Sequence, residues 1–571
     1  MKIETLLFKE IVIFPELFLG ISIIYLVIHC TFLAIQKKYP LIQTSVLYLS
    51  VLAIFFSFYL VLNEHLNILE LSCLNNTFIS DYASFSSKLI IGSLSIFCLL
   101  MMKPYILSQK INNFEYFLLI LFAVLGLFLL CSSNDFLTAY LAIELQSLAF
   151  YVLAAFKKNS SFSVDAGIKY FILGAFASSL FLFGASLLYG ISGTICFDDF
   201  RILFMNILPG SDLNFAWMYE SDFINILYED ILYEISVNNF LISESANSNS
   251  IETITDFLGF YRFLDLIVYI KFLEYFNDMS HISEFDSNLI KFALIFILIG
   301  LFFKLTVAPF HTWAPDVYEG SPTSSTFFFS VVPKLAIFVL LLRIFYYSFY
   351  GFVDSWRHFI VLVVIFSIIV GSFGGLEQRK LKSLLVYSTI SHMGYSLISF
   401  SAGTFESIQM LLSYLIVYSF SGLCVWSIFL TTRLKNNYFQ KQNKDLTDLV
   451  LLGKSNYMLA IFFTTVLFSI AGFPPMIGFL VKMGVFLTAL ESSMFFVALI
   501  SILCSVVGTF YYIRLIKILY FEKVLVGKLY YPIEFQTSII ITCLFFSLLF
   551  LFLNPTLLFL VSHKFSLLVF I

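Results

Sequence analysis

Repeated apolar runs constrain this chain more than any other feature of its sequence. Each is long enough, or nearly so, to cross a bilayer as a helix, which takes about 20 residues. Only 12% of the residues are charged, against about a quarter in a soluble domain. We therefore predict an all-α polytopic membrane protein with about 14 transmembrane helices. They lie at about 11–35, 41–63, 86–102, 114–133, 136–156, 164–191, 288–309, 323–347, 354–376, 382–402, 405–432, 456–490, 492–521 and 536–561.

The placement of basic residues predicts an orientation. More than half of the 32 Lys and Arg residues fall on the side that the chain reaches after its first helix, and basic loops mark the inner side of a membrane. Both termini are then predicted on the outer side. The 72 phenylalanines are typical of an A/T-rich organellar gene. This composition favours the mitochondrial inner membrane with the termini in the intermembrane space; a bacterial inner membrane or a thylakoid is the alternative.

Residues 201–287 interrupt the pattern of helices. They hold 14 acidic residues against three basic ones and a low-complexity stretch, "SESANSNS". Residues 257–276 are apolar enough to suggest a further span, but they contain four charged residues, which are costly at mid-bilayer. We predict an amphipathic helix on the outer surface or against a partner. A solvated acidic insertion is the alternative.

Ionisable residues inside apolar helices are the candidate functional residues. Such groups need partners, water or a function to offset the cost of burial. One of them alone could be an ion pair or a packing residue, but a glutamate and three central lysines on separate helices favour function. For Lys169 and the histidines, packing remains open. The candidates are Glu144, Lys304, Lys334 and Lys482, with Lys169, His311 and His392 as weaker members.

The chemistry that suits this set is proton transfer. Burial disfavours the charged form of a lysine and a nearby carboxylate favours it, so a moving partner can make the lysine bind or release a proton. Chains of such groups form proton relays in membranes. A cation site would need more oxygen ligands. The eight cysteines are scattered without a CxxC pair, and the chain has no Gly-rich phosphate loop, so we expect no metal, cofactor or nucleic-acid site.

Prolines interrupt two of the predicted helices. Pro309 removes a backbone hydrogen bond close to Lys304, and Pro474 and Pro475 do so close to Lys482. Interrupted helices in corresponding positions of two halves are the sequence sign of an inverted repeat. Two ordinary proline kinks are the alternative.

Six stretches carry a resemblance to a known family. They are "AIELQSLAFYVLAAF" (142–156), "DAGIKYFILGAFASS" (165–179), "FKLTVAPFHTWAPDVYEGSPT" (303–323), "LLVYSTISHMGYSLI" (384–398), "AGFPPMIGFLVK" (471–482) and "YYIRLIKILYF" (511–521). The chain resembles the antiporter-like membrane subunits of respiratory complex I, the proton-pumping NADH:ubiquinone oxidoreductase. Among them it looks most like the subunit 2 family, because it ends soon after its last helix and has a lysine at 482.

The resemblance implies an architecture and roles for residues. It implies two inverted five-helix repeats with discontinuous helices, at 114–347 (helices 4–8) and 354–521 (helices 9–13). Residues 1–110 form helices 1–3, and 536–561 form helix 14. Glu144 and Lys304 would be the interacting pair of the first half-channel, Lys334 the central lysine and Lys482 the terminal lysine of the second half-channel. Lys169 matches a further family lysine, while His311 and His392 are weaker relay candidates.

The resemblance also implies a place in a larger enzyme. This chain would translocate protons without a redox centre of its own, while FMN, iron–sulfur clusters, NADH and ubiquinone belong to other subunits. Its partners would be other membrane-arm subunits and lipids, and it is not expected to function alone. The alternatives are a subunit of a multi-subunit cation/proton antiporter, the plastid relative of complex I, and a purely structural membrane subunit.

Overall fold

The computed structural model of the protein describes residues 13–35, 39–64, 71–109, 113–204, 284–435, 440–442, 445–450, 452–522, 530 and 532–570. The chain divides into two compact units. One consists of residues 1–205 and 292–571, and the other of residues 206–291. In the second unit only 284–291 are described, as the beginning of a helix. The amphipathic helix predicted at 257–276 lies outside the described residues, as does most of the acidic insertion.

Helices account for nearly all of the described chain. The first eight are α1 (Phe14–Ile35), α2 (Tyr39–Glu64), α3 (Tyr82–Ser108), α4 (Glu115–Ser132), α5 (Phe136–Ala154), α6 (Ser161–Ser192), α7 (Phe197–Phe204) and α8 (Glu284–Leu305). The next six are α9 (Trp313–Gly320), α10 (Thr323–Val331), α11 (Pro333–Leu342), α12 (Val353–Leu376), α13 (Leu381–Ala402) and α14 (Phe405–Thr431). The last six are α15 (Leu452–Ser455), α16 (Tyr457–Ala471), α17 (Ile477–Glu491), α18 (Phe495–Tyr520), α19 (Phe535–Leu553) and α20 (Thr556–Phe570).

The irregular elements are short. Two antiparallel strand pairs lie in connections between helices, β1 (Leu71–Cys73) with β2 (Phe78–Ser80) and β3 (Arg433–Lys435) with β4 (Gln440–Gln442). A π-helical turn, Arg343–Ser348, continues α11, and 3₁₀ turns occupy Tyr350–Phe352 and Leu446–Leu449. The prediction of an all-α architecture is confirmed.

Twelve of the described segments are long and apolar enough to cross a membrane. The 22-residue α13 occupies a further predicted window but is less apolar, because it is rich in serine. The window predicted at 456–490 divides into α16 and α17 around the prolines at 474 and 475. The last window divides into α19 and α20 at Pro555, since proline cannot continue a helix interior. Together the described helices occupy all fourteen predicted windows. The division into two inverted repeats stays a prediction.

The segment that runs through α10, α11 and the π-helical turn lies at the centre of the fold. Its apolar window is entirely buried, and its sequence is apolar on every side, which is the pattern of a helix surrounded by protein. α10 and α11 pack against α3, α4, α5 and α14. Lys334 is the second residue of α11, so the fold places one lysine within this enclosed segment.

Two ion pairs connect the N-terminal helices to the rest of the fold. The Lys88 ammonium of α3 lies 2.6 Å from a Glu16 carboxylate oxygen of α1, and both side chains are almost completely buried. The Arg343 guanidinium, at the end of α11, donates to both carboxylate oxygens of Asp81, at 2.8 and 2.9 Å. It also donates to the carbonyl of Ser133. These pairs hold α1 and α3 against the helices that follow.

Glycine allows the close approach of α12 and α13. A Cβ at Gly371 would lie 2.5 Å from the backbone nitrogen of Ser391, whereas a Cβ at Gly20 would lie 3.6 Å from Leu125, an ordinary contact. We expect Gly371→Ala to destabilise the protein by about 1–3 kcal/mol, the usual cost of an overpacked core. Gly20→Ala is the matched control and should be neutral or stabilising, because alanine is the better helix former. Thermal denaturation of the two variants in native membranes measures the difference; equal midpoints would contradict this account.

Candidate functional site

The side chains that the sequence singles out lie on five different helices. Glu144 is in α5, Lys304 is in the last turn of α8, and Lys334 is at the start of α11. His392 is in α13 and Lys482 in α17. The Lys334, His392 and Lys482 side chains are buried, and those of Glu144 and Lys304 are partly buried. Each of these groups has specific polar neighbours.

The helix that carries Lys304 ends directly after it. α8 ends at Leu305, Thr306 adopts a positive φ of 62°, and the Ala308–Pro309 bond is cis. The break therefore comes four residues before the predicted end of this helix. The indole nitrogen of Trp313 donates to the carbonyl of Phe303 at 3.1 Å, which satisfies one of the carbonyls freed at the helix end. A positive charge is favoured at that position by the helix dipole.

Lys304 donates to a tyrosine rather than to Glu144. Its Nζ lies 3.2 Å from the Tyr151 hydroxyl and 5.5 Å from the centre of the Tyr151 ring. Glu144 is two turns earlier on the same helix as Tyr151, and its carboxylate accepts a hydrogen bond from Ser147 at 3.3 Å. The other carboxylate oxygen of Glu144 is buried and has no hydrogen-bond partner among the described residues. Tyr151 and Ser147 thus lie between the two members of the predicted pair.

Lys334 is also held by a tyrosine. Its Nζ donates to the Tyr418 hydroxyl of α14 at 2.8 Å and lies 4.7 Å from the centre of that ring. α10 ends at Val331 and α11 begins at Pro333, so the helix is interrupted immediately before this lysine.

Lys482 caps the C-terminal end of α16, where one predicted span is broken. Its Nζ donates to the carbonyls of Ile470 and Ala471, the last two residues of α16, at 2.8 and 2.9 Å. The same Nζ lies 5.4 Å from the centre of the Tyr395 ring. Gly472, which follows, has a φ of +87°, and a Cβ there would approach the Lys482 side chain to 2.8 Å. A larger residue at position 472 would strain the backbone at this positive φ and would crowd the Lys482 side chain.

His392 is held by two tyrosines. Its Nδ1 is 2.5 Å from the Tyr414 hydroxyl, and its Nε2 is 3.3 Å from the Tyr512 hydroxyl. The Tyr418 ring is 5.5 Å away, centre to centre, and His392 is close enough to Lys334 and Lys482 to be influenced by both charges. The geometry therefore joins this weaker candidate to the main group.

The other two weak candidates lie apart from this group. Lys169 pairs with Asp316 at 2.5 Å, and both side chains are more than half exposed. His311 follows the break after α8, and its Nδ1 is buried without a hydrogen-bond partner among the described residues. Among the described residues, neither Lys169 nor His311 shares a hydrogen bond with Tyr151, Tyr418 or Tyr414.

The tyrosines that contact these groups are not conspicuous in the sequence. Tyr151 lies seven residues after Glu144, Tyr395 three after His392, and Tyr418 four after Tyr414, spacings that place each pair on one helix face. That register was available in the sequence. In a chain with 32 tyrosines, however, the register alone does not separate these residues from packing aromatics.

Comparisons with known proteins agree with the fold and with the family motifs. A family described as NADH:quinone oxidoreductase/Mrp antiporter, TM, matches residues 133–221 and 244–508. The chain is 35% identical to NADH-ubiquinone oxidoreductase chain 2 of Marchantia polymorpha, over 97% of this chain and 98% of that protein. It is 35% identical to NADH-quinone oxidoreductase subunit N of Paramagnetospirillum magneticum, over 80% of this chain and 78% of that protein.

Solved structures share the fold. A chain of respiratory complex I from Thermus thermophilus aligns with a TM-score of 0.68 at 23% identity, covering 95% of this chain and 98% of that chain. A chain of the Mrp complex from Dietzia sp. DQ12-45-1b aligns with a TM-score of 0.70 at 15% identity, covering 97% of both.

The contact between Lys304 and Tyr151 depends on a glycine. A Cβ at Gly174 of α6 would lie 2.1 Å from the Tyr151 hydroxyl oxygen. We expect Gly174→Ala to displace the phenol and to break its hydrogen bond with Lys304. The control is Gly190→Ala in the same helix, where nothing lies within 4 Å of the added atom. Cryo-electron microscopy of both variants in their assembled state measures the distance from Nζ to the hydroxyl; an unchanged distance in Gly174→Ala would refute this dependence.

Proposed function

The chain belongs to the family of NADH-ubiquinone oxidoreductase chain 2, called subunit N in bacteria, and we propose that it translocates protons through a buried Glu/Lys relay. The observation that carries this proposal is the way the three lysines are held. Each ammonium contacts neutral groups, namely phenols or backbone carbonyls. None of them belongs to the four ion pairs found among the described residues.

Neutral partners suit a group that must gain and lose a proton. A buried ammonium is costly, and a carboxylate in contact with it would stabilise the charged form and hold the proton. A phenol or a carbonyl stabilises the ammonium less strongly. The protonation of such a lysine can then respond to small changes in its surroundings, and proton relays in membranes depend on that response.

The proposed sequence of transfers begins at Glu144 and Lys304. A change in a neighbouring subunit alters the separation of these two groups, which are already near enough for their charges to interact. When the carboxylate approaches, Lys304 takes up a proton; when it withdraws, Lys304 releases that proton toward Lys334. His392, which the charges of Lys334 and Lys482 both influence, passes the proton to the second half-channel. Lys169 and His311 are assigned no step here.

Oxidation and reduction are assigned to other subunits. In this proposal NADH, FMN, the iron–sulfur clusters and ubiquinone bind elsewhere in the complex, and this chain couples to them through its contacts with other membrane-arm subunits. The absence of a CxxC pair from the sequence supports that assignment. The protein crosses the membrane many times, and its phenylalanine-rich composition and the distribution of its basic residues support the mitochondrial inner membrane, with both termini in the intermembrane space.

A cation/proton antiporter subunit is the second candidate, because the matching family and one of the similar structures include Mrp antiporters. The two functions differ in their partners. Purification of the chain in its native complex distinguishes them: co-purification with flavin and iron–sulfur subunits supports complex I, and their absence supports the antiporter. Fractionation between thylakoid and mitochondrial membranes tests the plastid relative.

Removal of either member of the first pair should impair pumping. We expect Glu144→Ala and Lys304→Ala to lower proton translocation about tenfold or more, because a positioned proton donor or acceptor contributes about 10²–10⁴-fold to proton transfer. Proton uptake by vesicles that contain the assembled complex, measured per NADH oxidised and as a rate, provides the readout. Lys157→Ala is the control, since Lys157 is exposed and its ammonium donates to Gln109, outside the relay. Wild-type pumping by both relay variants, with assembly verified on native gels, would sink the proposal.

A further inference from the structure

Each lysine of the proposed relay lies beside the ring of a tyrosine. The distances from Nζ to the ring centre are 5.5 Å for Lys304 and Tyr151, 4.7 Å for Lys334 and Tyr418, and 5.4 Å for Lys482 and Tyr395. A cation within about 6 Å of an aromatic ring centre is attracted by the ring, and more strongly where water is excluded. Two of these tyrosines also accept a hydrogen bond from the ammonium.

Another lysine of the same chain provides an internal comparison. Lys88 is as deeply buried as the relay lysines, but a carboxylate of Glu16 contacts it at 2.6 Å. The Glu16 carboxylate also accepts a hydrogen bond from Ser132 at 3.4 Å. This pair joins α3 to α1. The fold thus uses a carboxylate where a buried lysine is structural and a tyrosine where the lysine belongs to the relay.

We propose that Tyr151 and Tyr418 are positioning residues of the proton relay, which support the ammonium of Lys304 and of Lys334 through the hydroxyl and the ring. This inference rests on the proposed function and deepens it. The ring attracts the charged lysine, and a hydrogen bond from an ammonium is stronger than one between neutral groups. Together they favour a proton on the lysine without a carboxylate. The proton leaves when the lysine turns away from its tyrosine.

The two sites differ in their surroundings. The titratable groups that face Lys304 are Tyr151 and Glu144, both on α5. Those that face Lys334 are Tyr418 on α14 and His392 on α13. Of the two lysines, Lys334 has the shorter hydrogen bond and the closer ring. Among the described residues, no carboxylate forms an ion pair with it. The effect of its tyrosine should be greatest there.

Three substitutions at Tyr418 separate the contribution of the hydroxyl to the stability of the Lys334 ammonium from that of the ring. Tyr418→Phe keeps the ring and removes the hydrogen bond, Tyr418→Leu removes both, and Tyr418→Glu introduces the carboxylate that Lys88 has. Loss of a group that stabilises the charged lysine makes the lysine release its proton at lower pH. We expect the alkaline limit of pumping to move down by about one pH unit in Tyr418→Phe, the usual worth of a hydrogen bond to a charged group, and further in Tyr418→Leu. Tyr418→Glu should hold the proton on Lys334 and abolish pumping.

The measurement is the pH profile of proton translocation by the assembled complex in vesicles, with NADH oxidation recorded in parallel. Tyr116→Phe is the matched control. Tyr116 is a buried tyrosine whose hydroxyl donates to Ser324 at 2.8 Å, and it is hydrogen-bonded to none of the three lysines. Its substitution removes a buried hydroxyl of the same kind and should leave the pH profile unchanged. If a Tyr418 variant does not assemble, Tyr151→Phe applies the same test at Lys304.

The outcomes separate this inference from the function on which it rests. A wild-type pH profile in Tyr418→Phe and Tyr418→Leu, together with loss of pumping in Lys334→Ala, overturns the role of the tyrosine and leaves the relay intact. Wild-type pumping in Lys334→Ala and Lys482→Ala overturns the relay itself. A graded shift from Tyr418→Phe to Tyr418→Leu, absent in Tyr116→Phe, supports the proposal, since a merely structural tyrosine would change stability without moving the profile.

Discussion

The cost of burying an ammonium group governs the arrangement of this protein. Taking a lysine out of water is favourable only if other groups replace its hydration, and the fold does so in two distinct ways. Lys88 receives a carboxylate, and the lysines at 304, 334 and 482 receive phenols and backbone carbonyls. Helix breaks, close glycines and the completely buried central segment all lie beside one or another of these groups. These features bring phenols and backbone carbonyls into contact with lysines inside the fold.

Broken helices supply partners that a continuous helix cannot. Within an intact helix every carbonyl accepts from the amide four residues later, so the only free carbonyls are at helix ends. The division of one predicted span into α16 and α17 places such an end inside the fold, where Lys482 reaches it. The end of α8 places Lys304 in a last helical turn in the same manner. The prolines near these positions therefore contribute to the chemistry of the site by freeing backbone carbonyls.

Much of this could be predicted from the sequence, since length and apolarity alone determine where helices cross a bilayer. The windows around Phe14–Ile35 and Phe405–Thr431 agree with the structure closely. The candidate site residues are also conspicuous in the sequence, because each is a charge inside an apolar run. Their partners are not. Nothing in the local sequence distinguishes Tyr418 from the other tyrosines. Its contact with Lys334 joins two residues that are 84 positions apart in the chain. Such a contact depends on the rotation and packing of α11 and α14, which local sequence does not specify. The same reason explains why the Glu144–Lys304 pair was predicted without the tyrosine between its members.

The position of Lys482 ties the charge of a side chain to the shape of the backbone. As an ammonium it bridges the two terminal carbonyls of α16, and Gly472 leaves room for its aliphatic chain. A neutral amine has one donor fewer and no charge with which to attract the negative end of the helix. In the proposed relay, loss of the proton from Lys482 would therefore weaken its contacts with the last turn of α16. Proton transfer at one nitrogen would in this way be coupled to the backbone at the end of a helix.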